Sequence, residues 1–91
     1  RTRFRTNQSM RFTIYSKYGC SYCKQIKLLF ELNEFKFVEL HLDRDFDREE
    51  FAEKFGSGST FPQVVLNDKV NLGGCINTIK YLQEQDICCN V

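Results

Sequence analysis

A strand-like run and a helix-like run meet almost without a linker, and two cysteines three positions apart stand at the meeting point, Cys20-Ser21-Tyr22-Cys23. Over residues 11–16 the β-branched and aromatic side chains Phe12, Thr13, Ile14 and Tyr15 predict a short buried strand. From Ser21 to about Asn33, Tyr22, Cys23, Ile26, Leu29, Phe30 and Leu32 recur at spacings of three and four, with lysines opposite. This is the pattern of an amphipathic helix, which leaves 17–19 as the feeding loop. Residues i and i+3 share a helical face, so the two sulfurs reach bonding distance with little backbone movement. Unpaired N–H groups and the positive end of the helix dipole favour a thiolate at the helix mouth. Cys20 is therefore the expected nucleophile and Cys23 its partner.

The rest of the chain extends this β-α start. Residues 35–42 alternate apolar and polar, which predicts a second strand with one better-buried face. A charged connection follows, in which Asp45 or Asp47 is placed to cap a helix reaching about Phe55, with Phe51 and Phe55 on one face. Gly56-Ser57-Gly58-Ser59 breaks that helix. Residues 61–66 predict a strand, Asn67-Asp68 a tight hairpin turn and 69–72 an antiparallel return strand. Gly73-Gly74 then reads as a flexible joint, and 75 to about 85 as a last helix carrying Ile76, Ile79, Tyr81 and Leu82. The order β-α-β-α-β-β-α specifies an α/β domain: a four-stranded mixed sheet flanked by three or more helices.

Ninety-one residues, 42% of them hydrophobic and including nine Phe and four Tyr, suffice for one core. Residues 1–9 lack a sustained apolar period and are expected to be an unstructured or expression-derived extension, with Met10 as a native start and 10–91 as the domain. No apolar run approaches the length of a membrane span, so no membrane partner is expected. The five cysteines are odd in number, unevenly spaced and without a secretory signal ahead of them, which points to a reducing compartment such as the cytoplasm.

Charge is unevenly distributed beneath a net value of +1: residues 1–30 hold seven Lys or Arg and no acid. Cations near the cysteine pair favour thiolate and attract an anionic thiol. A scattered basic third offers little to nucleic acid. Zinc held by Cys20, Cys23, Cys88 and Cys89 fails on spacing, because a structural site uses two separated chelating pairs rather than adjacent residues. Cys75 reads as either a buried small residue or a secondary redox thiol, Cys88 and Cys89 as near-terminal thiols prone to intermolecular oxidation, and His41 as structural.

Over residues 11 to about 86 the chain resembles the glutaredoxins, the glutathione-dependent branch of the thioredoxin fold. The resemblance rests on three separated motifs: Cys20-Ser21-Tyr22-Cys23, Thr60-Phe61-Pro62 and Gly73-Gly74-Cys75. It implies an oxidoreductase that reduces protein disulfides and glutathione mixed disulfides, with glutathione as co-substrate and a monomeric state. It further implies a cis bond before Pro62, although an ordinary loop proline opening an edge strand is the other reading of the residues. In the implied site, the Thr60, Phe61 and Pro62 segment docks the cysteinyl backbone of glutathione. The N–H groups of Cys75 and Ile76, beyond Gly74, hold its γ-glutamyl carboxylate, and Asn77 faces its amino group in place of the usual Asp. Lys17 meets the glycyl carboxylate, unless it is only a solvated loop charge. Tyr22 packs beside the tripeptide or merely covers the helix end, and Arg48 or Lys54 adds a glycyl contact. Phe61 replaces the usual Val and is expected to narrow or reshape the groove.

Ser21 replaces the commonest Pro. In the glutaredoxin family a Ser here is associated with members that hold a [2Fe–2S] cluster between two subunits, with Cys20 of each chain and two glutathiones as ligands. A thioredoxin-like disulfide reductase, served by a flavoprotein, is the other alternative. Gly73-Gly74 and Lys17 weigh against it.

Overall fold

The computed structural model describes residues 11–85. The expectations for 1–9, Met10, Cys88 and Cys89 lie outside the described residues. The elements follow the predicted order: β1 Arg11–Ser16, α1 Ser21–Leu32, β2 Lys36–His41, α2 Arg48–Phe55, β3 Gln63–Leu66, β4 Val70–Gly73 and α3 Cys75–Glu84. The strands form one mixed sheet in the order β2-β1-β3-β4. β1 runs parallel to β2, with Phe12 opposite Phe37, and antiparallel to β3, with Phe12 opposite Leu66. β3 and β4 pair antiparallel, with Leu66 opposite Val70. The turn between them is closed by the Lys69 N–H donating to Leu66 C=O (3.0 Å), and its central residues Asn67 and Asp68 both have positive φ, 54° and 60°. These residue types tolerate that conformation best after glycine.

Side-chain alternation along the strands divides the apolar residues between two faces. On one face Phe12, Ile14, Val64 and Leu66 pack with Ile26 and Phe30 of α1 and Leu82 of α3. Phe12, Phe30 and Phe35 form its aromatic centre, with Phe12 4.5 Å from Phe30 and 5.4 Å from Phe35 between ring centroids. On the other face, Leu42, Phe46 and Phe51 form a smaller cluster with Tyr15, Leu40, Phe55 and Phe61. The second cluster seats α2. Its start is fixed by a reciprocal cap: Glu50 N–H donates to Asp47 Oδ1 (2.8 Å) and Asp47 N–H to Glu50 Oε1 (3.0 Å).

Three strands differ in their bounds from the sequence expectation. β2 is one residue shorter at each end, because Phe35 N–H closes the end of α1 on Phe30 C=O (2.9 Å) and Leu42 instead bridges to Phe46. β3 begins at Gln63 rather than Phe61: Pro62 has no N–H to give to a ladder. Gly73 is not a joint but the last residue of β4, and Gly74 is the N-cap of α3. Among the described residues no helix is long and apolar enough to cross a membrane.

Candidate active site

Cys20 is the N-cap of α1, its backbone extended at φ −99° and ψ 108°, and its Sγ accepts the Cys23 N–H (3.1 Å). No acidic side chain stands in the first turn to compete for the positive helix end. Cys20 and Cys23 are joined as a disulfide across a Cα–Cα distance of 5.2 Å. Cys20 keeps 9% exposure and Cys23 2%, so an incoming sulfur meets Cys20 first. Ser21, at the first helical position, is exposed.

A groove of about 290 Å³ opens beside this pair. Tyr22 lines it at the helix end, Thr60, Phe61 and Pro62 form one wall, and Gly74, Cys75, Ile76 and Asn77 form the other. Ligand clefts run from about 300 to 1,000 Å³, so this groove stands at the small end of that range. The Phe61–Pro62 bond is cis. Within the described residues the backbone N–H and C=O of Phe61 have no hydrogen-bond partner. On the opposite wall no side chain caps α3, which leaves its first-turn N–H groups pointing out of the helix end. The walls approach closely where a Cβ on Gly74 would sit 3.5 Å from Pro62 C=O.

One lining residue was missed from the sequence. Gln63 lines the groove and its Nε2 donates to Thr60 C=O (2.9 Å), bracing the 60–62 loop. The signal available was a polar residue interrupting an apolar run directly after the proline. Gly73 has φ +91°, and a Cβ there would stand 2.9 Å from Asn77 Nδ2. The notch that glycine leaves is what seats the Asn77 amide.

Lys17 does not line the groove; its Nζ lies 5.4 Å from the ring centroid of Phe61, a residue of the groove wall. Arg48 and Lys54 are not brought to the groove either. Arg48 is exposed at the start of α2, and Lys54 Nζ sits 6.0 Å from both the Tyr15 and Phe55 rings. Phe61 stacks its ring on Phe51 in the second cluster. His41 packs under the active-site loop, its ring stacked on Tyr18 (5.0 Å, 21°) and its Nε2 3.5 Å from Glu39 Oε1. Among the described residues no group of three or more His, Cys, Asp or Glu is arranged to hold a metal ion.

Cys75 is a free thiol with 5% exposure, and burial pushes its pKa up. A thiol raised in the folded state contributes stability in full below the unfolded value of about 8.5, and loses it as pH climbs above that value. The urea stability of the parent is therefore expected to fall toward that of Cys75→Ala between pH 8 and 10. A difference that stays constant across that window contradicts a buried neutral thiol.

The family model described as Glutaredoxin matches residues 12–70. Glutaredoxin-C6 of Oryza sativa subsp. japonica is 33% identical over 69 residues, covering 72% of this chain. The chain spans 61% of that protein's length. Glutaredoxin 1 of Rickettsia prowazekii (strain Madrid E) is 32% identical over 73 residues, 76% of each chain. Among solved structures, Glutaredoxin 1 from Francisella tularensis, complexed with cacodylate, superposes with a TM-score of 0.69 at 28% identity, over 87% of this chain and 98% of that one.

Proposed function

The chain belongs to the glutaredoxin family, and from that premise we propose that it is a glutathione-dependent thiol–disulfide oxidoreductase acting on protein disulfides and glutathione mixed disulfides. The observation that carries this reading is the groove beside the cysteine pair, whose two walls offer unpaired backbone groups to a peptide. The N–H groups of Cys75 and Ile76, at the positive end of α3, suit the γ-glutamyl carboxylate. The Phe61 backbone suits the cysteinyl residue, and Lys17 suits the glycyl carboxylate. Asn77 offers the ammonium group an acceptor without a negative charge, which makes that contact weaker than an Asp would.

In the proposed cycle the Cys20 thiolate attacks the glutathione sulfur of a mixed disulfide. The bond to the substrate sulfur breaks as the bond to Cys20 forms, and the substrate leaves as a thiolate that takes a proton from water. A second glutathione thiolate attacks the glutathionyl sulfur, releasing oxidised glutathione and returning Cys20 as thiolate. With a protein disulfide, Cys23 displaces the substrate sulfur from Cys20 and closes the Cys20–Cys23 bond, which two glutathiones reopen. A reducing compartment such as the cytoplasm supplies that glutathione.

The electron source tests the reading. With NADPH, glutathione and glutathione reductase, the protein is expected to turn over a small glutathione mixed disulfide. With NADPH and thioredoxin reductase alone it is expected to be inactive; the reverse result makes it a thioredoxin-like reductase.

A second reading, a glutathione-ligated [2Fe–2S] dimer, is favoured by the exposed Ser21 in place of a ring that would stiffen the first turn. Cys20 is the more exposed sulfur of the pair, a soft donor of the kind such a cluster takes, so one chain offers one ligand and a second chain must offer another. Brown dimeric protein after anaerobic preparation with iron, sulfide and glutathione supports this reading, and colourless monomer removes it.

A further inference from the structure

Phe61 belongs to the groove and to the α2 cluster at the same time. Its ring lies face to face on Phe51, with centroids 4.2 Å apart and planes 11° apart. Phe46 packs beside this pair, 5.8 Å from Phe51 and 6.3 Å from Phe61, with its plane within 22° of both. These two neighbours fix the plane of the Phe61 ring, because rotating it would break its face-to-face contact with Phe51. One face of Phe61 is thus taken, and a cation over the ring has the other. Lys17 Nζ lies 5.4 Å from the centroid.

An aromatic face is a region of negative potential, and an ammonium within about 6 Å of the centroid is attracted to it. Lysine otherwise carries its charge on a flexible four-carbon stem. Among the described residues Lys17 has no carboxylate partner to hold it elsewhere. A branched aliphatic side chain at position 61 would offer no such face.

We propose that Phe61 is a positioning residue for Lys17: the ring, held on Phe51, keeps the lysine ammonium beside the groove wall, within reach of the anionic end of a ligand lying there. The identity of that ligand as glutathione rests on the function proposed above; the placement of Lys17 does not. The aromatic cluster under α2 thereby sets the position of a charge at the site, through a side chain whose backbone forms the groove wall.

Two measurements test this. In proton NMR spectra of the parent, the Lys17 ε-methylene signals are expected upfield of their random-coil position through the Phe61 ring current, retained in Phe61→Tyr and lost in Phe61→Leu. Random-coil shifts in the parent overturn the proposal without any variant having to fold. In turnover of a glutathione mixed disulfide, Phe61→Leu is expected to raise KM about two- to five-fold, with the effect on KM rather than kcat and with Phe61→Tyr restoring the parent value. Once Lys17 is Met, Phe61→Leu is expected to add nothing further. Equal KM increases from Phe61→Leu in both backgrounds overturn the coupling. A parent that does not turn over at all overturns the glutathione assignment, and the ring-current shifts still decide where Lys17 is held.

Discussion

Cys20→Ser is expected to abolish turnover of both protein disulfides and glutathione mixed disulfides, whereas Cys23→Ser is expected to lose only the first. The two sulfurs are not equivalent in this fold. Cys20 sits at the end of α1 with 9% exposure and accepts the Cys23 N–H, while Cys23 lies one turn inside with 2% exposure. A mixed disulfide can reach Cys20 from solvent, but Cys23 can act only on a sulfur already attached to Cys20. A serine hydroxyl keeps the shape of the cap and loses the thiolate, so the chemistry is removed with little change to the helix end. The loss should be at least about a thousandfold, equivalent to roughly 4 kcal/mol of barrier. NADPH consumption coupled through glutathione reductase reads both reactions. Activity surviving in Cys20→Ser would refute the assignment of the nucleophile.

The largest expected effect on stability comes from Phe30→Ala. Phe30 is fully buried on α1 and its ring lies among Phe12, Phe35 and Phe37 at 4.5, 5.6 and 5.7 Å. Truncating a buried Phe costs about 3–5 kcal/mol through lost transfer energy and the cavity left behind. Domains of this kind hold only about 5–15 kcal/mol in total. The urea midpoint should fall with the slope unchanged, leaving a protein close to unfolding. Leu28→Ala on the same helix is the control: Leu28 is 55% exposed, and its loss should change stability by no more than about 0.5 kcal/mol. Similar losses in the two variants would contradict the assignment of the buried face of α1.

What the sequence made legible was local in origin. The cysteine pair at a strand-to-helix junction, the spacing of Ile26 and Phe30 and the Asn67-Asp68 turn each follow from neighbours within a few positions and stand where the sequence placed them, and of the two candidate caps, Asp45 and Asp47, the helix uses Asp47. Of the residues that the resemblance assigned to glutathione, Tyr22, Thr60, Phe61, Pro62, Gly74, Cys75, Ile76 and Asn77 line one groove, Lys17 stands over the Phe61 ring, and Arg48 and Lys54 are not brought to the groove. Long-range packing was not legible. Nothing near Phe61 in the sequence says that its ring will lie on Phe51, ten positions earlier, and the expectation that it would narrow or reshape the groove did not include that contact. Similarly, a glycine pair read as a joint became the end of a strand and the start of a helix, because Gly73 pairs with Val64 across the hairpin.

The second aromatic cluster carries a thermodynamic obligation. Whatever binds in the groove and depends on the orientation of Phe61 binds more tightly when Phe51 and Phe46 are in place, and that dependence runs equally in both directions. Occupancy of the groove by such a ligand is therefore expected to protect α2 against local opening, although α2 contributes no lining residue. The helix farthest in role from the chemistry becomes a reporter of the ligand.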